Sequence, residues 1–298
     1  VEFMAAALTS EKNDIEKIAF LIEECKKMGI EVLAPDINES FRNFSVVPKE
    51  NKIRFGLLAI KNVGHNVVEA IVEERKKNGS FASIEDFITR VGSKDLNKKS
   101  FESLIKTGAF DKFEERNKLL QNLERLLEWS RETQKNKANG QKGLFEIFSE
   151  NSQGKNSNNG ITLSSVSAAP KKERLNWEKE LLGLYITSHP LEDFKKAFEK
   201  KVLPLFKISQ DITGKIVRIG GVICGIKKIV AKNGKPMLFV KLEDQTDKIE
   251  LVVFPSVIEQ NPTIFQENKI VMVRGRVDNR DGVPKIICNE IEEVVEES

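Results

Sequence analysis

Between Thr9 and Gly29 the apolar residues Ile15, Ile18, Ala19, Ile22, Cys25 and Met28 recur three and four apart while Glu and Lys fill the opposite face. That spacing predicts an amphipathic helix, and Gly29 is its stop. Ile30 to Leu33 reads as a short strand ended by Pro35, and a second extended piece runs from Phe44 to Val47 before Pro48. Residues 52 to 113 are short apolar runs punctuated by Gly, Asn and Ser, the pattern of short helices joined by tight turns. A longer helix is predicted from Glu114 to Thr133, with Leu119, Leu120, Leu123, Leu126 and Leu127 forming one stripe.

Periodicity then disappears. Gln134 to Lys172 is dominated by Asn, Ser, Gly, Lys and Gln, too polar to bury a core, and reads as a flexible linker with one apolar island at Leu144, Phe145, Ile147 and Phe148. Helical spacing resumes at Trp177 to Leu184, and a short helix is expected near Phe194 to Phe198. From Lys215 onward the period changes to two, with strand candidates at Ile216–Ile223, Met237–Leu242, Ile249–Phe254, Ile270–Val277 and Lys285–Ile291. Asn233-Gly234 and Asp281-Gly282 are hairpin turns, and five short strands imply a small closed barrel. The expected fold class is α+β and multidomain, a helical module followed by a five-stranded β-barrel.

Charge alters this picture only locally. Charged residues make up 31% of the 298, yet the net charge is +3, so a global argument for a polyanionic partner fails. Lys52 to Phe113 nevertheless holds twelve Lys or Arg against eight Asp or Glu, a local excess of four. Cys25, Cys224 and Cys288 lie far apart, and with only His65 and His189 beside them they form neither a zinc pattern nor a disulfide framework. Reduced thiols and the lack of an apolar run long enough to span a bilayer favour a cytoplasmic protein without membrane contact. The opening Val1-Glu2-Phe3 suggests a piece of a larger polypeptide.

Phe55 to Asn66, followed by Val67, Val68, Ala70 and Ile71, has the form of a helix-hairpin-helix corner. A tight turn at Asn62-Val63-Gly64 presents main-chain amides at the start of the next helix, where the helix dipole favours a phosphate oxygen, and Lys61 and His65 flank it. Asn62 occupies a place where glycine is common, and Asn is well suited to a left-handed φ there. Val91 to Phe113 reads as a degenerate second copy, with Leu96, Leu104, Ile105, Gly108 and Phe110 as its core and Lys94, Lys98, Lys99 and Lys106 as its basic face. The competing reading for any one of these lysines is a solvated surface. In the linker, Gln141-Lys142-Gly143-Leu144-Phe145 resembles the peptide by which bacterial replication proteins bind their sliding clamp, with Leu144 and Phe145 as apolar anchors and Gln141 as a rim hydrogen bond. The barrel resembles an OB-fold, with Lys227, Lys228, Lys232 and Lys235 around its first hairpin as candidate contacts to single strands. Alternation puts Phe239 and Phe254 in its core. No catalytic set is found: Glu243, Asp244 and Asp247 read as turn chemistry, His65 lacks a Ser, Cys or Asp partner in sequence context, His189 precedes Pro190 in a turn, and no phosphate-binding Gly-rich loop occurs.

The order of these pieces resembles the C-terminal half of the alpha subunit of bacterial DNA polymerase III, a C-family replicative polymerase. Leu21 to Leu33 with Pro35 to Ser40, Gly56 to Gly64, Gly108 to Asp111, and Trp177 to Gly183 with Ser188 to Leu191 carry that resemblance. It implies the end of a fingers region at 1–50, a tandem helix-hairpin-helix module at 51–133, a linker with the clamp peptide at 134–172, a helical connector at 173–212 and an OB-fold domain at 213–298. It further implies that the intact subunit is a DNA-directed DNA polymerase, a nucleotidyltransferase using Mg2+ on palm aspartates upstream of Val1. This chain is then expected to carry no cofactor and to be inactive alone. Its partners are duplex and single-stranded DNA, the clamp and other replicase subunits. The alternative is a non-catalytic protein adaptor of the replication machinery.

Overall fold

Two helices open the chain where one is expected: α1, Glu2–Ser10, and α2, Ile15–Lys27. The break lies at Asp14, whose carboxylate caps α2 by accepting from the amides of Glu16 and Lys17. Ile18, Ala19, Ile22 and Cys25 are buried as the pattern requires, but Met28 is exposed, because the helix has ended before it. The computed structural model describes residues 1–92, 96–138, 161–199, 201–230, 234–280 and 282–295, in two units, Val1–Thr187 and Ser188–Ser298.

In the first unit β1 (Glu31–Leu33) pairs in parallel with β3 (Lys52–Arg54), which also pairs antiparallel with β2 (Ser45–Val46). β3 falls where the sequence suggests helices. A three-residue strand is too short to display a period, and only its partners define it. The segment between β1 and β2 is tied into the helical body: Arg75 donates to the carbonyls of Ile37 and Ser40 at 2.8 and 2.7 Å, and the Ser40 hydroxyl donates to Phe55 O at 2.7 Å. The Asn38 amide group pairs with both the N–H and the carbonyl of Phe81.

The helical body comprises α3 (His65–Asn78), α4 (Ile84–Arg90) and α5 (Lys98–Lys106) around a cluster of phenylalanines. Phe87 lies 5.1 Å from Phe81 and 4.8 Å from Phe110, and Phe101 lies 5.6 Å from Phe110, in edge-to-face arrangements. Burying each such ring contributes roughly 1.5–3 kcal/mol. The long Leu-striped helix is two, α6 (Arg116–Gln121) and α7 (Leu123–Ala138), separated by Asn122. The Asn122 side chain accepts from Ser164 N and donates to Ser164 O, so it holds a strap of residues 161–170 against these helices. Asn117 donates to Ser167 O and Glu115 accepts from Ala169 N, while Ile161 and Ala169 are buried. The end of the segment read as linker is therefore fixed, because Asn and Glu side chains satisfy its backbone polar groups.

Helix α8 (Lys171–Leu182) closes the unit through a buried ion pair, Arg116 Nη1 to Glu178 Oε1 at 3.0 Å. Glu178 is fully buried and also accepts from Ile186 N, Thr187 N and Thr187 Oγ1, while Arg116 reaches Asp111 and Lys106 O. Neither charge is left unsatisfied, which makes their burial tolerable.

The second unit begins with the short helix α9 (Lys195–Phe198) and then forms a closed barrel of β4 (Ile216–Val230), β5 (Pro236–Glu243), β6 (Lys248–Val253), β7 (Ile270–Asp278) and β8 (Lys285–Glu293), with α10 (Pro255–Gln260) between β6 and β7. The strand order is β4-β5-β6-β8-β7, and closure by β4–β7 leaves no open edge. Ile219, Ile223, Val240, Leu242, Leu251, Val253, Val271, Val273 and Ile286 fill the interior. The acidic turn after β5 is turn chemistry, as expected: Asp244 Oδ1 accepts from Thr246 N, Thr246 Oγ1 and Asp247 N, and Oδ2 from Leu205 N.

Candidate nucleic-acid interface

The hairpin corner is built from close backbone packing. A Cβ on Gly56 would lie 2.5 Å from Asn43 C and 2.6 Å from Phe44 N, so only glycine lets residues 41–44 seat against the turn. A 3₁₀ turn at Leu57–Ala59 follows, and Asn62 then takes φ 69°, the left-handed value expected for it. Helix α5 holds Asn62 in that state: Ser100 Oγ donates to Asn62 O at 2.9 Å, and Asn62 Nδ2 donates to Ser103 Oγ at 3.2 Å. Lys61 N is bonded to Leu181 O of α8 at 3.1 Å. The turn is thus clamped from two helices while its outer rim stays open.

Gly64 caps α3 with φ −84° and ψ 166°, a conformation open to any residue, and a Cβ there would meet nothing within 4 Å. The fold itself therefore does not demand glycine at 64. Gly64, His65 and Asn66 are exposed, Val63 and Val67 are buried beneath them, and among the described residues none accepts from the amides of His65, Asn66 or Val67. This is an anion-favouring rim of helix-start amides.

The lysines divide into two kinds. Lys98 is paired with Glu124, whose hydrogen bond raises its pKa, and Lys106 is paired with Glu102 at 2.6 Å with its ammonium 5.8 Å from the Trp177 ring centroid. Lys61 and Lys99 are exposed and have no carboxylate partner among the described residues. Lys99 precedes Ser100, the residue of α5 bonded to the Asn62 turn. Lys94 lies outside the described residues, as do Lys232 and the linker residues Gln141, Leu144 and Phe145.

On the barrel the alternation argument needs correcting. Phe239 is flanked by the interior residues Leu238 and Val240 and so points outward, and Phe254, beyond the end of β6, is 41% exposed. Both fell on outward positions because the true phase is set by Val240, Leu251 and Val253, which are the ones at zero exposure. Across the outer face Phe239 pairs with Lys227 on β4 and Val252 on β6, and Val252 pairs with Ile287 on β8. Lys285 Nζ lies 5.8 Å from the Phe239 ring centroid. Lys227 thus joins the aromatic face, whereas Lys228 opposes the interior residue Leu238 and projects the other way; Lys235 is exposed at the start of the next strand. The sequence reading missed Val252, Lys285 and Ile287, which cross-strand register alone brings beside Phe239.

Two family models match these regions: a helix-hairpin-helix motif over residues 29–120 and an OB-fold nucleic acid binding domain over residues 217–294. Over nearly its whole length the chain also aligns with DNA polymerase III subunit alpha, at 41% identity with the Borreliella burgdorferi protein, covering 94% of this chain and 24% of that protein. By sequence the chain is similar to one stretch of the DNA polymerase III alpha subunits. The Deinococcus radiodurans alpha subunit is 38% identical over 98% of this chain and 22% of its own length, and that of Escherichia coli K12 is 32% identical over 99% and 25%. The chain thus spans about a quarter of the length of these alpha subunits. The helix-hairpin-helix match begins at residue 29, ahead of the pattern's start at 51, in keeping with the bonds that tie residues 36–40 to α3. No helix among the described residues is long and apolar enough to cross a membrane.

Proposed function

We propose that this chain is the DNA-gripping and clamp-tethering part of a replicative polymerase subunit. The Asn62–Asn66 corner, with Lys61 and Lys99, holds duplex phosphates irrespective of sequence, and Lys98 and Lys106 reinforce the basic surface when DNA competes for their carboxylate partners. The barrel face around Phe239, with Lys227 and Lys285, stacks the bases of single strands, and Lys232 and Lys235 follow the strand's backbone, with Lys228 reaching it from the far side of the hairpin. Gln141, Leu144 and Phe145 dock in a sliding clamp, and Lys94 extends the basic face of the second hairpin. DNA-templated synthesis belongs to the whole subunit, which works in the cytoplasm with other replicase subunits. The Mg2+ of that reaction belongs to the whole subunit.

The observation that carries this reading is the open amide rim at the start of α3, with Lys61 on its turn and Lys99 on the helix that clamps it, neither having a carboxylate partner among the described residues. In a low-salt assay the full chain should bind both duplex and single-stranded DNA, and Leu144→Ala with Phe145→Ala should abolish clamp binding while leaving DNA affinity unchanged. Clamp binding without any DNA binding at micromolar protein would instead establish an adaptor.

A further inference from the structure

His65 is the first residue of α3 and sits on the proposed phosphate rim with its side chain 70% exposed. Its Nε2 lies 3.4 Å from Glu69 Oε1, one helical turn on, and Glu69 Oε2 is bonded to Arg42 Nη2. Arg42 also lies 3.8 Å from Glu73. Arg42 is a permanent cation held against Glu69, so the carboxylate beside His65 is already partly neutralised. The imidazole also sits at the positive end of the α3 dipole, four residues after Lys61, while on α5 Lys98 is occupied by Glu124 and Lys99 has no carboxylate partner among the described residues. A phosphodiester seated on the amides of residues 65–67 would place a second anion, not neutralised by Arg42, beside the imidazole.

We infer that His65 is a proton-linked phosphate ligand: duplex binding at the hairpin corner takes up a proton on its imidazole, which makes the grip tighten as pH falls through neutrality. The inference rests on the proposed phosphate rim and adds its regulation. An imidazole is the side chain that ordinarily changes charge between pH 5 and 8, whereas phosphodiesters, Lys and Arg keep theirs over that range. A ligand that binds the protonated form more strongly must raise proton uptake, so affinity rises toward low pH and falls toward high pH, by at most about tenfold per pH unit for one proton.

The test is duplex affinity by fluorescence anisotropy at pH 6, 7 and 8 and constant ionic strength, for the full chain and for His65→Asn and His65→Lys. Position 65 is exposed, so both variants should fold. The wild-type chain should gain about three- to tenfold in affinity from pH 8 to pH 6. His65→Asn should be weak and nearly flat, and His65→Lys tight and flat. A wild-type pH dependence retained in His65→Asn, or absent from the wild type, overturns the inference. The phosphate rim itself is judged separately by Lys61→Ala with Lys99→Ala: loss of duplex affinity in that variant together with a flat wild-type profile would remove the proton linkage and leave the rim standing.

Discussion

The two candidate binding surfaces solve the same problem with opposite materials. At the hairpin corner the groups offered are main-chain amides, placed by Asn62, Gly56 and a clamp from α5 and α8, and side chains contribute only the surrounding charge. On the barrel the backbone is consumed by closure into a continuous ladder, and everything offered is side chain: Phe239, Val252, Ile287, Lys227 and Lys285. Amides and ammonium groups address phosphate, which every duplex presents identically, whereas an aromatic ring addresses bases that only a single strand exposes. Ion pairs cover much of the barrel's outer surface. There Arg218 pairs with Glu292, Arg274 with Glu290 and Lys269 with Glu293, and on the aromatic face Lys285 likewise pairs with Glu250 at 3.2 Å, so only the outward-facing ring of Phe239 and its apolar neighbours set that face apart.

The largest expected effect would break the comparison by removing one of its members. Glu178→Ala leaves Arg116 buried without its partner and releases the amides of Ile186 and Thr187, and should destabilise the first unit by about 3–5 kcal/mol. Urea unfolding followed by Trp129 and Trp177 fluorescence, both tryptophans lying in that unit, should register the loss. Next in size, Phe239→Ala should weaken single-strand binding by about 1–3 kcal/mol in calorimetric titration, with duplex binding unmoved; an equal loss on both substrates would erase the proposed division of labour. The smallest but most specific effect is on salt dependence. Changing Lys61 and Lys99 together to Ala should reduce the slope of log K against log salt on duplex by about 1.8, two contacts at roughly 0.9 each. An unaltered slope would move the phosphate contacts elsewhere.

Much of this was legible along the chain because it depends on local rules. The five strands of the barrel follow from period two and turn dipeptides, and the hairpin from an Asn standing in a left-handed position before Gly64. What failed did so where a local signal was too short or its phase ambiguous. β3 has three residues, Asn122 interrupts a stripe whose leucines remain in phase, and residues 161–170 look like linker by composition but are held by Asn117, Asn122 and Glu115. Phe239 was misassigned because strong hydrophobicity imitates a core position; its neighbours, not its own chemistry, turn it outward.

The sequence alone determined the succession of a helical module and a barrel, the barrel's strand count and where basic residues cluster along the chain, since periodicity, turn chemistry and charge act over a few neighbours. Only the tertiary structure decided that Lys98 is taken by Glu124, and which side of the barrel carries aromatic surface. Those outcomes depend on partners twenty or more residues away, Glu124 for Lys98 and Ile287 for Val252, and distance in sequence carries no record of distance in space.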